Sequence, residues 1–335
     1  MNNGKKILLT GAGGAALPFI IQRLKAKGYR VYAADMDKEA VGLLYADKGL
    51  VIPGGAAREF LPAMAEICRK EKIDAVVPLV DEELVPCFKL RQYGVSVILP
   101  TEKFTRMCLD KYALMRALKD AGVPVPQTAL TGTGAGGLSF PIVAKPRSGR
   151  GSRGLGILRS TRELKNYFEH SPYAKKDILL QKLIEGVEFT VSVVVWRDGS
   201  VQAVIPKEII SKKGITRLAV TRRNAAIDLV CRKIQEKLSA DGPFNVQLIL
   251  EKKSGIPYVF EINPRFSSSV SLTMEAGVDE IGDILDQELL KKPGKKRNTW
   301  EEGVVLVRQS QECFMREKEF LSGTKKIAAY RGRKA

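Results

Sequence analysis

The chain has 335 residues, 44% of them hydrophobic, and a formal net charge of +18. That length suits two or three domains with a sizeable core, and the apolar share is ordinary for a soluble protein. A single histidine, His170, excludes a multi-histidine metal site, and the five cysteines (Cys68, Cys87, Cys108, Cys231 and Cys313) have no zinc-site spacing.

Residues 6–10 form an apolar strand that is broken at Gly11, too short to span a bilayer and without a secretory cleavage pattern. With the odd cysteine count, this sets cytoplasm as the expected location. The glycine turn Gly11-Ala12-Gly13-Gly14-Ala15-Ala16 leads into a helix over 17–27, with Gly28 at its cap. Strands at 30–34, 50–52, 75–78 and 95–99 alternate with helices at 56–70 and 84–93. This alternation predicts an open, mostly parallel α/β domain. Beyond Pro100, residues 101–120 read as one helix and 131–137 as a flexible stretch. A strand at 141–145 delivers Lys145 to its end, and a helix at 161–168, ending near His170, precedes a strand at 178–182. Strands 188–196 and 201–207 form a hairpin, 224–238 a helix, and 244–251 with 257–263 a second hairpin. This half is α+β.

Four constellations carry chemistry. The turn at Gly11, with Asp35 ending the next strand, fits a dinucleotide fingerprint and a ribose-binding carboxylate. A tight turn at a strand–helix junction is the simpler reading. Lys145, a point charge for phosphate, precedes the run Ser148-Gly149-Arg150-Gly151-Ser152-Arg153-Gly154-Leu155-Gly156, whose glycines admit backbone amides to phosphate. Backbone groups around Gln181, Lys182 and Leu183 suit an adenine edge, and Glu188 suits ribose hydroxyls. Finally, Glu261, Asn263 and Arg265 alternate along a strand, so Glu261 and Asn263 share a face. Gln247 lies on the pairing strand. Hard oxygen ligands beside a guanidinium suit a magnesium–polyphosphate site.

In this order the pieces resemble the ATP-grasp superfamily, nearest the carbamoyl-phosphate-synthase-like and biotin-carboxylase-like ligases, over nearly the whole chain. The resemblance implies a Rossmann-like pre-ATP-grasp domain over 1–100, a helical linker and lid subdomain over 101–190, and a metal-bearing subdomain over 191–335. It implies ATP and Mg2+ or Mn2+ as cofactors, with ATP between two antiparallel sheets. Lys111 and Lys145 then contact phosphate. Gly149, Gly151, Ser152 and Gly154 form the lid loop. Gln181, Lys182 and Leu183 form the adenine hinge, and Glu188 takes the ribose. Gln247, Glu261 and Asn263 hold the metal, and Arg265 meets the transferred phosphate. Lys182 departs from the family, which often has glutamate there, and Gln247 stands where many members have an acid.

The implied reaction joins a small carboxylic acid, such as an amino acid, to an amine through an acyl phosphate, with Arg265, Lys145 and Glu261 as the catalytic set. Acceptor recognition falls to Lys207 and Arg217 as carboxylate clamps and to Ser267 and Ser268. The basic residues are dispersed, with densities at 147–153, 207–223 and 291–297, and no nucleic-acid motif is visible. Small-molecule substrates are therefore expected, with no specific nucleic acid and no membrane; a homodimer is compatible. A nicotinamide oxidoreductase at the N-terminal turn and a basic nucleic-acid-binding protein are the alternatives.

Overall fold

The structure, a computed structural model, describes residues 4–131, 136–294, 299–309, 316–318 and 328–329. Most of the glycine-rich stretch at 131–137, the end of the basic loop at 291–297 and Cys313 lie outside the described residues. The chain divides into two compact units, one of residues 1–102, 268–300 and 308–335, the other of 103–267 and 301–307.

In the first unit, β1 (Lys6–Thr10), β2 (Arg30–Asp35), β3 (Lys48–Val51), β4 (Ala75–Val77) and β5 (Ser96–Val97) pair in parallel in the order β3-β2-β1-β4-β5. Ala328–Ala329 adds a parallel edge beside β3. This is the doubly wound order expected of alternating strands and helices. Helices Leu17–Ala26 and Phe60–Glu71 bury apolar positions three and four residues apart, among them Leu17, Ile20, Ile21 and Leu24. Helices Val270–Glu275 and Glu280–Leu290 belong to this unit, tied by Arg23 to Glu275 at 2.6 Å and by the Tyr29 hydroxyl donating to Asp286 at 2.6 Å. They therefore depart from the expected grouping of 191–335.

The second unit holds two antiparallel sheets. The smaller has β6 (Thr128–Leu130), β7 (Ile142–Pro146), β8 (Gly156–Leu158) and β9 (Ile178–Lys182), in the order β6-β9-β7-β8. The larger has β10 (Gly186–Val195), β11 (Val201–Lys213), β12 (Ile215–Thr221), β13 (Phe244–Glu251), β14 (Pro257–Asn263) and β15 (Val305–Val307), in the order β14-β13-β10-β11-β12-β15. The expected boundary at 190 falls inside β10. Helices Lys111–Asp120 and Ala225–Leu238 share one core with the large sheet, where Leu114, Leu118, Ile227 and Ile234 meet Val191, Val193, Val246 and Leu248. Helix Thr161–His170 supplies Leu164 to the core of the small sheet with Ile142, Ala144, Ile178 and Leu180. Each sheet thus keeps its second face for other work.

Three expectations are corrected. The helix over 101–120 is two helices, Glu102–Leu109 and Lys111–Asp120. Asp110 breaks it by accepting from the Tyr112 and Ala113 amides as the N-cap of the second. The helix over 84–93 is an α-helix, Asp81–Cys87, that tightens into a 3-10 turn over Phe88–Tyr93 just beyond Pro86. The strand over 201–207 runs on to Lys213 as β11 and pairs with β12 around a turn at Gly214 (φ 71°). No helix among the described residues is long and apolar enough to cross a membrane.

Candidate functional site

The free face of the large sheet is polar. On β10, Phe189, Val191 and Val193 enter the core, so Glu188, Thr190 and Ser192 face the other way. Thr190 pairs with Gln247, Ser192 with Asn245, Gln247 with Glu261 and Asn245 with Asn263, placing all of them on that face. Strict alternation along β14 from the core residue Val259 would turn Glu261 inward. A β-bulge prevents this: Gln247 pairs with Glu261 but Leu248 pairs with Val259, leaving Phe260 as the extra residue. Val259 and Ile262 are then both in the core, and Glu261 and Asn263 both face out.

The bulge also turns the Phe260 carbonyl toward the small sheet. There the Lys145 Nζ donates to it at 3.0 Å and lies 5.2 Å from the Phe260 ring centroid. Lys145 is 5% exposed, and burial pushes its pKa down to about 8; Glu261 opposes that fall and Lys111 adds to it. Lys145 thus stands between the two sheets with its charge beside Glu261.

The glycine-rich run is the β7–β8 connection, and Gly149, Gly151, Ser152 and Gly154 all have positive φ. Its base is organised by Asp110. The Arg147 guanidinium donates to both Asp110 oxygens, at 2.8 and 2.6 Å, and holds that carboxyl below the usual carboxylate range, with the Ala113 and Tyr112 amides adding to the effect. The Lys111 Nζ donates to the Gly149 carbonyl at 2.5 Å. Asp110 thereby links Lys111 to the loop, a role the sequence reading missed; aspartate before a helix start was its signal. The Tyr167 hydroxyl donates to the Gly154 carbonyl. A Cβ on Gly154 would sit 2.6 Å from the Tyr173 ring and 2.9 Å from Pro146, at φ 70°. Gly154→Ala is expected to cost about 1–2 kcal/mol from the left-handed backbone alone, before the clash is counted. A urea titration that shows unchanged stability would contradict this placement of the loop.

The hinge differs in detail from expectation. Gln181 is 2% exposed and its Nε2 donates to the Thr128 hydroxyl at 2.9 Å. The Lys182 amide already donates to the Gln127 carbonyl at 2.9 Å, while its side chain is exposed. Leu183 follows the end of β9. The Glu188 carboxylate receives Lys212 Nζ at 2.7 and 2.6 Å, a partner the sequence reading did not foresee. Lys207 is fully buried and donates to the Ser192 and Ser267 hydroxyls at 2.8 and 3.3 Å. Arg217 is exposed, four residues before Thr221, the strand partner of Lys207, or about 13 Å of backbone. Ser268 is exposed and falls in the other unit, where its carbonyl accepts from Arg308 at 2.9 Å. Asp35 is committed to backbone amides, accepting from Gly13 at 2.8 Å and Asp37 at 2.9 Å. That agrees with a tight turn.

Among the described residues, no group of three or more His, Cys, Asp or Glu side chains is placed to hold a metal ion. The donor set on the polar face is one carboxylate, Glu261, and the amides of Gln247 and Asn263. Three hard oxygens do not close a cage, but they suit a cation that arrives with phosphate and water as its remaining ligands.

Residues 108–269 match the ATP-grasp domain family, and residues 7–95 match the PylC-like N-terminal domain. A carbamoyl-phosphate synthase from Methanobrevibacter smithii is 23% identical over 285 residues, covering 78% of this chain and 75% of that protein. The biotin carboxylase domain dimer of Hydrogenobacter thermophilus 2-oxoglutarate carboxylase, solved with MgADP, ADP and bicarbonate, is 20% identical with a TM-score of 0.73, covering 90% of this chain and 73% of that one. An L-amino acid ligase from Bacillus licheniformis is 20% identical with a TM-score of 0.69, covering 89% and 78%. These structures share the fold. With two antiparallel sheets, a bridging lysine and the family match falling on the same residues, residues 108–269 are an ATP-grasp domain.

Proposed function

We propose that this protein activates a small carboxylic acid with ATP and joins it to an amine, releasing ADP and phosphate. The observation that carries the reading is Lys145, held between the sheets on the Phe260 carbonyl beside Glu261. In this reading Lys145 and Lys111 bind phosphate oxygens, and the loop of Gly149, Gly151, Ser152 and Gly154 closes over them. The hinge around Gln181, Lys182 and Leu183 reads adenine, with the amide reading falling to Leu183 because that of Lys182 is committed. Glu188 takes ribose hydroxyls while sharing its oxygens with Lys212. Gln247, Glu261 and Asn263 hold Mg2+, which when bound neutralises charge on the phosphates. Arg265 stabilises the γ-phosphoryl group as the substrate carboxylate attacks it. The resulting acyl phosphate loses phosphate to the attacking amine, so no enzyme nucleophile is needed, and the closed loop keeps water away. Lys207 and Ser267 face the acceptor; an amino acid is the favoured carboxylate, by analogy with the ligase of the same fold.

A thermal-shift series with Mg-ATP, NAD and DNA tests the class. Stabilisation by Mg-ATP alone is expected, and stabilisation by NAD alone would overturn the reading. A screen of amino-acid pairs for ADP release then identifies the substrates. The charge of +18 is dispersed, so DNA affinity is expected to be weak and to fall steeply with salt. Tight, sequence-selective retention in a mobility-shift titration at physiological salt would contradict this.

A further inference from the structure

Asn245 on β13 stands opposite Asn263 on β14, and the two are 2% and 5% exposed. An amide side chain has a donor end and an acceptor end. Its neighbours decide which end each of them meets. The Asn245 Nδ2 lies 3.0 Å from the Arg265 carbonyl oxygen and 3.5 Å from that of Asn263. Carbonyl oxygens only accept, so Asn245 must turn its NH2 toward the backbone and its Oδ1 away. That Oδ1 receives the Asn263 Nδ2 at 3.3 Å. Asn263 therefore commits its donor end to Asn245, and its Oδ1 is turned outward. There the Arg265 Nη2 lies 3.4 Å away. A guanidinium only donates, so this second contact independently requires an oxygen at that place.

We propose that Asn245 is a positioning residue that makes Asn263 present its oxygen, and not its NH2, to the divalent cation. The inference rests on Asn263 being a cation ligand, as in the function proposed above. The orientation matters because only one of the three donors is a carboxylate. A carboxylate offers oxygen whichever way it turns; an amide turned over offers two hydrogens to a cation. Here the backbone carbonyls of the β14 turn settle the matter two bonds upstream.

The test uses Mn2+ as a paramagnetic probe with a nonhydrolysable ATP analogue, reading Mn2+ affinity by electron paramagnetic resonance. Four proteins are compared: the unaltered chain, Asn245→Leu, Asn263→Asp and the double variant. Leucine keeps the branched outline of Asn245 and removes both polar ends. Aspartate at 263 needs no orienting. Asn245→Leu is expected to weaken Mn2+ binding by roughly 10–100-fold, the scale for losing a partner that orients a metal ligand. In the Asn263→Asp background the same change should cost no more than about twofold, the ordinary error of additivity. An equal loss in both backgrounds would mean a merely structural role and overturn the proposal, as would unchanged binding in Asn245→Leu. Should the leucine variant not fold, Asn245→Ala is read in the same two backgrounds with the same criteria. Glu261→Gln separates the levels. If its Mn2+ affinity in the presence of the nucleotide analogue is unchanged, or if the unaltered chain binds no Mn2+, the site reading falls and this inference with it. If Glu261→Gln loses the ion and Asn245→Leu does not, only the role of Asn245 is refuted.

Discussion

Glu261→Gln is expected to lower turnover by roughly a hundredfold or more, the scale for removing a group that stabilises transition-state charge. Glu261 is the single full negative charge in the donor set with Gln247 and Asn263. Glutamine keeps its size and one oxygen. The fold should persist, because the bulge at Phe260 turns this side chain out of the core and onto the polar face. Nucleotide should still bind through Lys145, the hinge and Glu188, so a binding assay alone misses the effect. ADP release with the cognate acceptor, measured across a magnesium titration, is the proper readout. A folded variant with near-normal turnover at low magnesium would remove Glu261 from the metal site.

Lys145→Ala is expected to weaken ATP binding by roughly 10–150-fold, the worth of a hydrogen bond to a charged group. The pH dependence follows from the pKa of about 8 in the folded protein against an ordinary 10.5. The folded state disfavours the ammonium form, so its cost to stability is fully present below about 8 and is relieved as pH rises toward 10.5. Bound phosphate has the opposite preference and favours the ammonium. ATP binding should therefore take up a proton near pH 8 and weaken as pH rises above about 8. Calorimetry in two buffers of different ionisation enthalpy measures that uptake. Equal heats in both buffers and an affinity that does not fall through this range would refute the role. The same signal should vanish in Lys145→Arg, whose guanidinium does not titrate there.

The residue order alone determined much of this protein. Strand–helix alternation before Pro100 named the parallel sheet, and the hairpins after it named the larger of the two antiparallel sheets. The period of a strand put Glu261 and Asn263 on one face, and Gln247 on the strand beside them. These are local properties, set by side-chain spacing and turn chemistry over a few residues. Other features were not local. The carboxylate of Asp110 caps the helix that follows it, but that it also holds Arg147, far along the chain, is set by the tertiary fold. The strand expected over 201–207 runs on to Lys213 because β12 pairs along it. Lys212 meets Glu188, and Asn245 fixes the amide of Asn263, through register between strands that a single sequence does not state. Above all, the pattern said that Glu261 and Asn263 face together but not which way. One extra residue at Phe260 decided that: it let Val259 and Ile262 both reach the core, and freed a backbone carbonyl to receive Lys145 from the opposite sheet. Core burial on one side of β14 and a bond to a lysine on the other are satisfied together only with the bulge in place, and that balance exists only once both sheets are assembled.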